Sequence, residues 1–178
     1  MRTTATDLQS SLIANSTANL TIAHTAIIVT LVSWVSASIF LDLLIMPGLY
    51  ITGMMANPGF VMAGDLIFSV FNRLELVAGA LVLTGALLWQ TTTPQSPLSK
   101  TAMMTASLLL LIPLIYTYGL TPHMSGLGIQ LSLFETPQVP ETMDQLHYAY
   151  WSLEILKLAA SGFFLTWIWQ RPPAAIAP

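Results

Sequence analysis

Residues 60–89 read FVMAGDLIFSVFNRLELVAGALVLTGALLW, and this stretch decides the fold. It contains no proline, is dominated by apolar residues, and exceeds the about 20 residues that an α-helix needs to cross a bilayer. Asn57-Pro58-Gly59 before it is a turn signal, and residues 91–99 (TTTPQSPLS) after it form a polar linker with two prolines. Three further runs lie outward from it. Upstream, residues 21–46 are apolar and are followed by Pro47-Gly48, past which the helix can continue, kinked, towards Met55. Downstream, residues 100–120 form a run with Pro113 inside it, and residues 141–170 form the last, stopped by Pro172-Pro173. Residues 121–140, with Gly126, Gly128, Pro137 and Pro140, read as the longest loop. The expectation is an all-α bundle of four transmembrane helices, with residues 1–178 as a single integral membrane domain.

Composition agrees. Of 178 residues, 54% are hydrophobic and only 7% are charged, against roughly 25% charged in soluble domains. Too few charges remain for a water-facing surface, so the bilayer is the expected solvent. The net charge of −3 and the lack of a basic patch exclude a nucleic-acid partner. The absence of cysteine excludes disulfides, thiolate metal sites and cysteine nucleophiles. The polar stretch before residue 21 lacks the charged-then-apolar layout of a cleavable signal peptide. No Walker loop, dinucleotide-binding glycine pattern, His-Glu-x-x-His or Gly-x-Ser-x-Gly occurs. An enzyme is therefore not expected, unless as a membrane oxidoreductase using the histidines.

Orientation follows from the few basic residues. Arg2, Lys100 and Arg171 fall on one side of a four-span arrangement, and both connections on the other side lack lysine and arginine. The positive-inside rule places that basic side, with both termini, in the cytoplasm. Trp89, Trp167 and Trp169 then mark the inner interface as an aromatic belt. Arg73 lies 16 residues before Trp89, and Glu154 lies 15 before Trp169. At about 1.5 Å per residue both sit about 22–24 Å from that interface, in the outer half of the membrane.

Arg73, Glu75, Glu154 and Lys157 are the strongest chemical signal, with Asn72 beside them. An ionised side chain in a span costs at least about 2.5–3.5 kcal/mol. Two acids and two bases at matching depth on two parallel helices are expected to neutralise one another, Arg73 with Glu154 and Glu75 with Lys157, or with the partners exchanged. Such pairs serve either as a clasp that sets helix register or as a polar site for a substrate, proton or cofactor. A second group, Asp42, Asp65, His123, Asp144 and His147, gathers at the outer end. Asp144 and His147 share a face at i, i+3, and His123, His147 and Asp144 are candidate ligands for a metal, haem or chlorophyll. One Asp-x-x-His is less than the paired Glu-x-x-His of di-iron bundles. Asp144, His147, Trp151, Glu154 and Leu158 form a stripe expected to face the bundle interior. His24 reads as an interfacial residue at the cytoplasmic end. Ser33, Ser36, Ala37 and Ser38 on the first helix, and Ala78, Gly79, Ala80 and Gly85 on the second, are expected packing faces. The nine methionines read as adaptable fillers.

Three stretches carry a family resemblance: residues 40–50 (FLDLLIMPGLY), 68–75 (FSVFNRLE) and 143–148 (MDQLHY). With the layout of residues 25–168, the chain resembles the transmembrane-protein-205-like family, small four-helix membrane proteins with a domain of unknown function. The resemblance implies a membrane bundle and supplies no residue-level role. Efflux, proposed for some members, attaches to no residue matched here, and the family pattern leaves residues 123–140 unexplained.

Small size, missing catalytic motifs and a long outer connection favour a non-enzymatic accessory or assembly subunit, associated with other membrane subunits or with copies of itself. The alternatives are a small-molecule or ion transporter using the outer-half charges, and a haem- or pigment-binding protein using His123 and His147. A plasma, inner or thylakoid membrane satisfies the charge rule.

Overall fold

Apolar runs of this length satisfy their backbone polar groups only by internal hydrogen bonding, which favours helix. The computed structural model of the protein is accordingly helical, with no strand among the described residues, which are 5–54, 59–92, 98–134 and 141–171. Four long rods result. The first joins α1 (Ala5–Phe40), a π-helical turn (Leu41–Ile45) and α2 (Met46–Ile51). The second is α3 (Phe60–Thr92). The third joins α4 (Lys100–Ile115), a second π-helical turn (Tyr116–Leu120) and α5 (Thr121–Phe134). The fourth is α6 (Glu141–Trp169). The first rod packs on the second, the second on the third, the third on the fourth and the fourth on the first, closing a ring.

Both π turns have the same local cause. Each stands just before an X-Pro pair, Met46-Pro47 and Thr121-Pro122. Proline has no N–H to donate and its ring crowds the carbonyl four residues back. A widened turn relieves the crowding, and the rod continues: Met46 N–H reaches Leu41 O, and Thr121 N–H reaches Tyr116 O. Proline is also tolerated in the first turn of the helix that follows.

This corrects the reading of residues 121–140 as a loop. Thr121–Phe134 is helical, because Pro122 opens a helix instead of ending one. The first rod does continue past Pro47-Gly48, as expected, to Ile51. Asn57-Pro58, residues 93–97, Glu135 to Pro140, Pro172-Pro173 and Arg2 lie outside the described residues.

Three helical stretches are long and apolar enough to cross a membrane: Ala18–Ile51, Phe60–Thr92 and Lys100–Gln130. The rod α6, with Glu154 and Lys157 in its apolar part, is not among them.

One core cluster, including Leu31, Val82, Ala86, Leu109 and Phe164, fills the ring towards one end. A second, Ile112, Tyr116, Leu120 and Tyr150, lies towards the other. Small residues admit the backbones. A Cβ on Gly79 would stand 2.8 Å from Leu109 O, and one on Gly85 would stand 2.7 Å from Ile27 Cγ1. Trp89 is buried in this core, its ring 5.9 Å from that of His24. It is thus a packing residue, in contrast to Trp169, which is exposed as a belt residue would be. His24 Nε2–H donates to Ile168 O at 3.2 Å and ties the first rod to the end of the fourth.

Candidate functional site

The inward faces of three rods follow one rule, a 3–4 alternation of buried positions. On α1 these are Ile27, Leu31, Trp34, Ser38 and, across the π turn, Leu41 and Asp42. On α3 they are Asn72, Glu75, Gly79, Val82, Ala86 and Trp89. On α6 they are Tyr150, Glu154, Lys157, Ser161, Phe164 and Ile168. Polar members fall at the same level on each rod, between the two apolar clusters, and there they meet.

Lys157 is the hub. Its ammonium donates to Glu75 Oε1, and to Glu154 Oε2 at 2.6 Å. Glu75 Oε1 also accepts from Trp34 Nε1–H at 2.9 Å and from Ser38 Oγ–H at 3.3 Å. The Tyr116 hydroxyl lies 3.2 Å from Glu154 Oε2 and 3.4 Å from the Tyr150 carbonyl. All three charged groups are buried, at 1% exposure. The rings of Trp34, Phe71 and Tyr116 surround the ammonium at 5.5–5.9 Å, close enough for cation–π attraction.

Asp42, buried on the first π turn, adds a carboxyl near that of Glu154. Leu41 and Asp42 both face inward there, Asp42 four residues after Ser38 on the same face. Glu75 Oε2, Glu154 Oε1, Asp42 Oδ2 and Asn72 Oδ1 are buried without a hydrogen-bond partner among the described residues. Asn72 itself donates through Nδ2 to Thr121 Oγ1 at 2.6 Å, holding α3 to the end of the second π turn.

A cavity of about 330 Å³ adjoins the network. Asp42, Thr121 and Tyr150 belong to its wall, with Asp65, Phe68, His147 and Trp151 among the other lining residues. Asp65 Oδ1 accepts from Ser125 Oγ at 2.5 Å and from Ser69 Oγ at 3.5 Å.

The expected pairing is corrected in one half. Glu154 pairs with Lys157, one turn away on its own helix, and Arg73 makes no ion pair among the described residues. Arg73 is exposed, while Asn72 and Glu75 are buried. At about 100° per residue, Arg73 and Glu75 point some 200° apart and cannot both face inward. Asp144 and His147 are exposed as well, so the inward stripe of α6 begins at Tyr150. His123 Nδ1–H donates to Gly119 O and His147 Nδ1–H to Met143 O, each within its own rod. His147 is among the cavity residues and His123 is not. No group of three or more acids, histidines or cysteines arranged to hold a metal occurs among the described residues. Trp34, Tyr116 and Tyr150 are not singled out in the sequence, and Ser38 only as a packing residue. The 3–4 alternation that places Trp34 and Ser38 seven and eleven residues after Ile27 was the available signal.

Comparison of the chain with models of known families, with curated proteins and with solved structures returns no match.

Proposed function

We propose that the chain is an integral membrane protein with four spans and both termini in the cytoplasm, and that it is a carrier of a small solute or ion. The fourth span is α6. Its two interior charges, Glu154 and Lys157, neutralise each other within the bundle, which lowers the cost of placing them in a bilayer. The basic residues Lys100 and Arg171 support the orientation.

The observation that carries the carrier reading is the charge imbalance of the network beside the cavity. One ammonium serves Glu75 and Glu154, and Asp42 adds a third carboxyl. A clasp needs only matched charges. Here, buried excess negative charge costs several kcal/mol unless a proton or a cationic solute offsets it. A group that must exchange one cation for another, next to a cavity, is the working part of a carrier.

The test is uptake of radiolabelled sodium, potassium, tetramethylammonium and benzyltrimethylammonium into proteoliposomes with an imposed pH gradient. At least one is expected to enter faster than into protein-free vesicles, and Glu154→Gln to slow it at least about tenfold, the equivalent of 1.4 kcal/mol. Uptake of all four at the protein-free rate sinks the reading.

A second reading, the accessory or assembly subunit, is favoured by Arg73. It stands exposed beside the apolar stripe Leu66, Val70, Leu74 and Val77 of α3, which are 50–65% exposed. A guanidinium among side chains of this kind is stabilised by an acid on another subunit. Extraction in mild detergent is expected to retain a co-purifying membrane chain, or a second copy, that Arg73→Leu releases. A monomer from both proteins counts against it. The resemblance to the transmembrane-protein-205-like family is likewise proposed as kinship. Its three stretches, residues 40–50, 68–75 and 143–148, each contribute to the cavity wall, through Asp42 and Met46, Phe68, and Met143 and His147.

A further inference from the structure

We infer that the cavity between the first, second, third and fourth rods is a binding site for an organic cation with an aromatic or apolar body, its charged nitrogen held by Asp42. The inference deepens the carrier reading by naming the ligand class, but the site itself is an equilibrium binding site and is tested as one.

Its size comes first. About 330 Å³ lies at the lower end of the about 300–1,000 Å³ range of small-ligand sites. The sign of its charge comes second. Asp42 and Asp65 line it, and no lysine or arginine does. The nearest base of the network, Lys157, is already held between Glu75 and Glu154. Asp65 is engaged by two serine hydroxyls. Asp42 is different: it is 95% buried, and its Oδ2 has no partner among the described residues. A carboxylate oxygen withdrawn from water and left without a donor is costly, and a ligand cation supplies what is missing.

The rest of the wall selects among cations. Phe60, Phe68, Tyr150 and Trp151 present aromatic rings, and Met46 and Met124 polarizable thioethers. Ring faces attract an organic ammonium, as in aromatic cages, and thioethers adapt to an apolar body. A bare metal ion would need several oxygen or nitrogen ligands at once. Among the described residues no group of three or more acids, histidines or cysteines is placed to hold one. Charge from Asp42, shape and ring faces from the wall together describe a small aromatic or alkyl ammonium.

The experiment is equilibrium binding of tritiated benzyltrimethylammonium to the purified full-length chain in detergent, with benzyl alcohol and phenylacetate as neutral and anionic competitors. The ammonium is expected to bind at least tenfold more tightly than the alcohol, and phenylacetate not to compete. Asp42→Asn is expected to weaken the ammonium at least tenfold and leave the alcohol unchanged. A second variant, Gly64→Leu, keeps the test valid if Asp42→Asn fails to fold. Gly64 lines the cavity, and a Cβ there meets nothing within 4 Å, so the added side chain starts from open space at the cavity wall. It is expected to weaken binding at least tenfold at an unchanged unfolding temperature. Equal affinity for ammonium and alcohol, binding unaffected by either variant, or no binding at all overturns the inference. Binding without uptake in proteoliposomes overturns the carrier reading and leaves the site standing. Uptake of sodium or potassium without benzyltrimethylammonium binding does the reverse.

Discussion

Replacing Lys157 by methionine is expected to destabilise the protein by about 3–5 kcal/mol, the cost of leaving a buried ionic partner uncompensated. Methionine keeps the unbranched stem among the rings of Trp34, Phe71 and Tyr116. What it removes is the only ammonium in contact with Glu75 and Glu154 among the described residues. Two buried carboxyls, with that of Asp42 nearby, are then left without a counter-charge. The loss should therefore be electrostatic, and neutralising the acids should reverse it. Adding Glu75→Gln and Glu154→Gln to Lys157→Met is expected to restore more than half of the lost stability, because an amide donates where the ammonium donated. Reversible unfolding in mixed micelles, followed by circular dichroism, measures both effects. A loss below about 1 kcal/mol, the range of exposed pairs, or no recovery in the triple variant, contradicts this account of the hub.

The second large effect concerns the seam between α3 and α4. A Cβ on Gly79 would stand 2.8 Å from Leu109 O and 3.0 Å from Leu110 Cα, both backbone atoms. Backbone cannot step aside without separating the rods. Gly79→Leu is therefore expected to cost at or above the upper end of the about 1–3 kcal/mol typical of overpacking. Gly79→Ala should cost less, since alanine regains about 1 kcal/mol of helix propensity over glycine. Gly85 offers the internal control. Its added Cβ would meet Ile27 Cγ1 and Cδ1, atoms of a buried, β-branched side chain, so Gly85→Ala should also cost stability, but less than Gly79→Ala, because a side chain can shift where backbone cannot. The same unfolding assay orders the three variants, and Gly85→Ala at least as damaging as Gly79→Ala would reverse the reasoning.

Much of the site was within reach of the sequence, and its limits have physical causes. Glu75 and Lys157 stand out as charges within apolar helices, and each lies on the buried face of its rod. Arg73 stands out equally by composition, yet faces away, because two residues along a helix turn through about 200°. Helical angle, applied strictly, separates Arg73 from Glu75 and joins Asn72 to it. Asp42 was within reach by the same rule: it lies four residues after Ser38 and eleven after Leu31, on the buried face, although its place near the helix end groups it with the outer acids. Thr121 was out of reach, for it lies nine residues after Ile112, about half a turn away on a regular helix, and the second π turn brings it to Asn72. Proline reads as a stop in one dimension. In the structure both prolines follow a widened turn and the helix goes on.

The sequence by itself determined that this chain is helical, with three stretches long and apolar enough to cross a membrane, because 7% charge leaves long apolar runs that must satisfy their own backbone. It also determined which charges are out of place. Tertiary structure alone decided their partners. Lys157 is shared by two acids, Arg73 by none among the described residues, and Asp42 reaches the network beside a cavity. Those outcomes depend on the rotation of each rod about its axis, and that rotation is set by close packing at Gly79 and Gly85 and by the two π turns.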